Sequence, residues 1–143
     1  MTDSFAAGHA TTRQNISSAS PFEPVIGFSR AVRIGNTIAV SGTAPIGPDG
    51  KSVGPGDVAA QVRRCCAIAG EVLAKAGASL GDVIRTRMYL VNAGDWEAAG
   101  RAHGETFGAI RPASTMVVVK ALLDPAWLVE IEFDAVIGGG DAP

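Results

Sequence analysis

Residues 128–136 read LVEIEFDAV, and the alternation is strict. Val129, Ile131, Phe133 and Ala135 fall on one side of an extended chain, Glu130, Glu132 and Asp134 on the other. Such a strand needs a sheet with one face sealed by apolar groups. The chain carries its own cover. After Asp57, a good N-cap, apolar or small residues recur at Val58, Val62, Cys65, Ala69, Val72 and Ala76, in steps of 4, 3, 4, 3 and 4. Gly77 follows as a natural C-cap, which predicts a helix of about 19 residues, roughly 28 Å long.

The remaining segments fit the same plan. Ser29 to Ile34 and Thr37 to Ser41 are β-like runs around Gly35-Asn36, a pair that tolerates positive φ and signals a hairpin. Gly42 to Gly56 is rich in Gly and Pro and reads as loop. In VIRTRMYLV (83–91), Ile84, Thr86, Met88 and Leu90 share one face, with Arg85, Arg87 and Tyr89 on the other. Asp95 can cap a second helix through about Gly108, with Trp96, Ala99, His103 and Phe107 at helical spacing. Ser114 to Lys120 and Leu128 to Val136 are expected to close as a C-terminal hairpin through Ala121 to Trp127, and the stretch from Arg111 to Asp134 is where chemistry is expected. The order β-β-α-β-α-β-β implies an α+β fold, a mostly antiparallel sheet with two helices on one face. The face turned from the helices, with Arg85, Arg87, Glu130, Glu132 and Asp134 beside Tyr89, Met116 and Val118, suits either solvent or a subunit interface.

Composition narrows the class. At 143 residues the chain suits one domain, and 47% apolar against 18% charged residues can bury a real core without a disulfide or metal. We expect flexible tails at 1–14 and 138–143 around a single domain, 15–137. A net charge of −2 without a basic run disfavours nucleic acid as a partner. No apolar stretch approaches the roughly 20 residues of a membrane span, and MTDSFAAGHATTRQ does not read as a secretory signal, so a cytoplasmic protein is expected. Cys65 and Cys66, adjacent in sequence, read as small apolar helix residues of a reducing compartment. His9 and His103 have no ligand-like spacing, so neither a metal nor another cofactor is expected.

Candidate site residues stand out singly. SGTAPIGPDG (41–50) begins with the hydroxyl of Ser41 and glycines that free backbone amides, yet it lacks the phosphate-loop pattern. Arg111 precedes Pro112 and could grip a carboxylate with two prongs. Glu132 and Asp134 suit cross-strand pairing with arginines. His103 reads as a packed helix residue rather than a catalytic base.

Several stretches together resemble the reactive-intermediate deaminase family, also called RidA or YjgF: GFSRAVRIGNTIAVSGTAPIGPDG (27–50), DVAAQVRRCCAIAGEVLAKAG (57–77), GDVIRTRMYLVNAGDW (81–96), IRPASTMVVV (110–119) and LVEIEFDAV (128–136). The resemblance runs from about residue 16 to 137. It implies a chorismate-mutase-like fold and a homotrimer whose sheets line a central barrel, with ligand clefts between subunits. Family deaminases hydrolyse enamines and imines to 2-oxo acids and ammonia. By resemblance Glu130 is the glutamate that positions the attacking water, Ser41 is the pocket serine, and Phe28 stands where the deaminases have a pocket tyrosine.

The departures matter as much. Where typical deaminases read P-A-R, this chain reads Pro112-Ala113-Ser114, so the arginine that holds the substrate carboxylate is replaced by Ser114. Gly100 stands where an asparagine is frequent. Arg111, three residues earlier, is an odd step away and roughly 10 Å along an extended chain, and cannot simply substitute. The resemblance therefore implies a small-molecule ligand in an intersubunit cleft and a hydrolase of C–N bonds whose substrate is not the standard 2-imino acid. Competing expectations are a non-enzymatic ligand-binding or regulatory protein and, third, a ribonuclease, which near-neutral charge and the lack of a basic-aromatic strip disfavour.

Overall fold

The computed structural model describes residues 12–138, in one six-stranded sheet covered by two helices. The strands are β1 (Arg13–Ile16), β2 (Ala31–Ile34), β3 (Thr37–Thr43), β4 (Val83–Leu90), β5 (Ala113–Val118) and β6 (Val129–Val136); the helices are α1 (Val58–Lys75) and α2 (Trp96–Phe107). A one-turn π-helix (Glu23–Gly27) lies between β1 and β2. Of the tails, 1–11 and 139–143 lie outside the described residues, while Arg13 and Gln14 open β1 and pair with Ile34 and Arg33 of β2.

Sheet order is β1-β2-β3-β6-β4-β5. The expected C-terminal hairpin does not form. β4 lies between β5 and β6, antiparallel to β6 and parallel to β5, because α2 is the crossover that a parallel pair requires. The sequence between β5 and β6 carries no signal against a hairpin, but these sequence neighbours do not pair because β4 lies between them. The register also moves Met116 and Val118 off the charged face, since they align with Met88 and Leu90 on the helix-facing side, where Met116 packs against the core. A β-bulge between Val83 and Arg85 changes the expected phase of β4, so that Val83 is buried and Ile84 is 47% exposed.

The central strand holds to its pattern: Val129, Ile131, Phe133 and Ala135 are fully buried, and the residues between them are half-buried on the outer face. Against them lie Val62, Cys65, Ala69 and Leu73 of α1 and Phe107 of α2, whose ring centroid is 6.2 Å from that of Phe133. Asp57 caps α1 by accepting from the Ala60 amide at 3.1 Å. At its other end Gly77 takes φ 85°, letting Ala78 N–H bond Leu73 O at 2.8 Å and Gly77 N–H bond Ala74 O at 3.0 Å, a Schellman closure. Asp95 precedes α2 but gives it no side-chain cap. In the β2–β3 turn, Gly35 takes positive φ (60°) and Asn36 does not.

Both cysteines are free and buried; burial pushes the Cys65 thiol far up and the Cys66 thiol to about 11, so neither is a thiolate at neutral pH. Among the described residues no helix is long and apolar enough to cross a membrane.

Since Phe133 fills the contact between sheet and both helices, Phe133→Ala should lower unfolding free energy by about 3–5 kcal/mol. Chemical denaturation checks this; a loss under about 1 kcal/mol would mean that the core is not closed on this strand.

Candidate functional site

On the outer face of β6, Glu130 is half-buried and lies directly over Gly42. A Cβ at residue 42 would come within 2.5 Å of its carboxylate oxygen, so glycine there is a condition for this placement. The cause is local. Val40 pairs with Phe133 and Thr43 with Ile131, so β3 carries one extra residue at Ser41–Gly42. That bulge breaks the ladder beside Glu130 and opens room for its carboxylate.

Arg30, which the sequence reading did not single out, completes this corner. Its Nη2 donates to Gly42 O, and its Nε is buried without a hydrogen-bond partner among the described residues. Glu130 is pulled two ways. Burial raises its carboxyl above the ordinary range, the Arg30 cation opposes that rise, and neighbouring Glu132 adds to it. A sequence signal for Arg30 existed: it alternates with Val32 on the outer face, next to Ala31 of the core.

Ser41 and Phe28 share a groove of about 590 Å³ with Asn15, Ser29 and Val32. Ser41 Oγ donates to Ser29 O at 2.6 Å, and Phe28 is 37% exposed. The segment before Phe28 is tied down by Glu23, which accepts from Ser18 N at 2.9 Å and Ser18 Oγ at 2.6 Å; these bonds bring its carboxyl down to about 2. Farther along the outer face, Tyr89 donates to Glu132, and Arg87 pairs with Asp134 at 3.1 Å. These two carboxylates are engaged across strands, while Glu130 has no such bond among the described residues.

Ser114 stands elsewhere. It pairs with Thr86 at the β5 edge and turns toward the helices, where Thr86 Oγ1 hydrogen-bonds Ser114 Oγ at 2.8 Å and His103 Nε2 at 2.9 Å. His103 also stacks on Phe107, ring centroids 4.7 Å apart, and burial holds its imidazole below the ordinary value, hence neutral at pH 7. Two strand spacings and three residues along the sheet separate Glu130 from Ser114, roughly 14 Å between backbones, and their side chains leave opposite faces. Gly100, on the α2 face near His103, would direct a Cβ toward Met116 Cε at 3.8 Å. Arg111 is exposed and takes φ 58°, left-handed backbone uncommon before proline. It precedes β5, so strand parity does not govern where its side chain points.

One chain thus places Phe28 and Ser41 on one groove and Arg30 and Glu130 about the adjoining Gly42, and separates Glu130 from Ser114, Thr86 and His103. Among the described residues no cluster of three or more His, Cys, Asp or Glu could hold a metal ion.

The family model described as Endoribonuclease L-PSP matches residues 18–137. A crystal structure of a Mycobacterium tuberculosis member of the YjgF/YER057c/UK114 family matches with TM-score 0.79 and 44% identity, covering 88% of this chain and 100% of that one. An uncharacterized Streptomyces coelicolor protein is 37% identical over 129 residues, 90% of this chain and 96% of its own. The 3-aminoacrylate deaminase RutC of Acinetobacter baylyi is 33% identical over 108 residues, 76% of this chain and 85% of its own.

With Arg30 as the cation nearest Glu130 in effect, Arg30→Met should raise the Glu130 pKa further above the ordinary carboxylate value. Ionising a carboxyl whose folded pKa exceeds its unfolded one costs stability as pH rises through that window, so the variant should lose more stability than wild type on going from pH 4 to pH 8. Carboxyl-carbon NMR titration reads the pKa directly; an unchanged or lower value would remove Arg30 from the site.

Proposed function

This chain belongs to the endoribonuclease L-PSP family, also called RidA or YjgF, and on that premise we propose that it is a cytoplasmic homotrimer binding a small metabolite in its intersubunit clefts, with hydrolysis of an enamine, imine or related C–N compound as its chemistry. The observation that carries this reading is the Glu130 corner. A half-buried carboxylate, left without a cross-strand bond and seated over a bulged glycine, is placed to hold a water. Burial raises its pKa toward neutrality, which makes it a better proton acceptor.

In this reading water adds through oxygen to the imine carbon while Glu130 takes one water proton and passes it to the imine nitrogen. The carbon–nitrogen bond then breaks as the proton of the new hydroxyl follows, through Glu130, to nitrogen, and ammonia and a carbonyl compound leave. Ser41 and Phe28 wall the ligand on the Glu130 side, and Ser114 hydrogen-bonds it from the other. Because those groups leave opposite faces of one sheet, a second copy must supply the missing half, which supports an assembly with shared clefts. Arg111 is kept as a binding residue that would have to reach the cleft from the left-handed turn before β5. The likeness to a protein named as a 3-aminoacrylate deaminase is consistent with this class of reaction.

Short 2-imino acids are disfavoured as substrates. With Ser114 in place of a charge-assisted clamp, about 1.5–3 kcal/mol of interaction with a carboxylate is lost, roughly 10- to 150-fold. Gly100 favours a second reading, non-enzymatic ligand binding, since it removes another polar side chain from the same side of the cleft.

Ammonia release from enzymatically generated 2-aminoacrylate discriminates these. Wild type should turn over weakly or not at all, and Ser114→Arg should gain at least about tenfold. Robust wild-type turnover would show that the lost clamp does not matter. A metabolite that stabilises the protein equally in wild type and Glu130→Ala, with no turnover of it, would favour binding without catalysis.

A further inference from the structure

The hydrogen bonds at Ser114 are coupled through Thr86, whose hydroxyl owns one proton. If Thr86 gives that proton to Ser114 Oγ at 2.8 Å, the 2.9 Å contact with His103 Nε2 is one in which histidine donates; if Ser114 gives its own proton to Thr86, Thr86 donates to a bare Nε2. In the first arrangement His103 carries its proton on Nε2, the chain of donation runs outward from helix α2 to the edge strand, and Ser114 is left with its own proton free. Thr86 is fully buried, His103 is half-buried and Ser114 is exposed, so of the three Ser114 is the one open to a ligand.

We propose that His103 and Thr86 hold Ser114 as an oriented hydrogen-bond donor, and that the cleft accordingly takes a substrate presenting an uncharged carbonyl or amide oxygen where short 2-imino acids present a carboxylate. This rests on the reading of the cleft given above and narrows its substrate class. The chemistry is a matter of charge balance. One neutral donor satisfies one neutral acceptor, whereas a carboxylate taken out of water needs a cation or several donors. The inner partners are also neutral: a threonine, and a histidine that burial keeps below its ordinary pKa. Arg101, on the same helix as His103, is already paired with Glu97 at 2.9 Å. Thr86 and His103 act through Ser114 and are positioning residues; of the three, Ser114 is the one that touches ligand.

Two measurements on the full-length protein test this. The chain has two histidines, so nitrogen NMR at neutral pH, assigned with His103→Gln, gives the His103 tautomer directly. An Nε2–H form is expected. An Nδ1–H form would reverse the chain, make Ser114 the donor into the protein as a nucleophile would be, and overturn the proposal. The second measurement compares pyruvamide with pyruvate, probes that differ in charge at one end, by NMR titration. Pyruvamide should bind at least about fivefold more tightly, Thr86→Val should weaken it by about 3- to 10-fold with little effect on pyruvate, and Ser114→Arg should reverse the preference. A wild-type preference for pyruvate overturns this inference alone, and if Arg111→Met removes that preference, Arg111 is the missing clamp. Binding of neither probe would sink the reading of the cleft and this inference with it.

Discussion

Strand β6 is the member on which the rest of the structure depends. It lies inside the sheet with antiparallel partners on both sides, its four apolar side chains are sealed beneath α1 and α2, and its three carboxylates are all set on the opposite face. Both bulges that shape the molecule are accommodations to it. At Ser41–Gly42 the bulge makes room for Glu130, and at Val83–Arg85 it rephases β4 so that an arginine rather than isoleucine meets Asp134. A one-residue shift of β6 would put three carboxylates in the core, which no other contact in the domain could offset. The candidate site thus inherits its geometry from a packing constraint.

Much of the fold was legible because it rests on local patterns. The helix from Asp57 to Gly77, the Gly35–Asn36 turn and the alternation of 129–136 are each written in the spacing of residues that then meet one another. What was not legible depends on distant partners. β1 has only four residues and gains strand character from pairing with β2. The partner of β5 is β4, a choice decided by where α2 must pack, so Ser114 and Glu130, near in sequence, end on different faces and two strands apart. Bulges are equally silent, since a period-two pattern says nothing about where an extra residue is inserted; Ile84 was misplaced for that reason.

The site divides along the same line. Glu130, Ser41 and Phe28 are expected from resemblance; Phe28 and Ser41 line one groove, and Glu130 lies over Gly42, the residue after Ser41. Arg30 was missed because its role depends on the bulged carbonyl it binds, a feature of three-dimensional placement. Thr86 could have been questioned from sequence alone: a threonine on an otherwise apolar face demands a hydrogen-bond partner. That partner turned out to be two groups, one on a helix and one on the edge strand.

The hydroxyl–imidazole chain has a consequence for the edge of the sheet. Among the described residues β5 has a strand neighbour on one side only, and edge strands resist slippage poorly when both faces carry small or apolar residues, as Ala113, Val117 and Val118 do here. Sliding β5 by one residue would turn Ser114 to the far face and take from the buried Thr86 hydroxyl its partner on the edge strand, at about 0.5–1.5 kcal/mol for the lost hydrogen bond. The residue at 114 is therefore a register pin as well as a proposed ligand contact, and a lineage that exchanges it for recognition of a different molecule must find another way to keep its outermost strand in step.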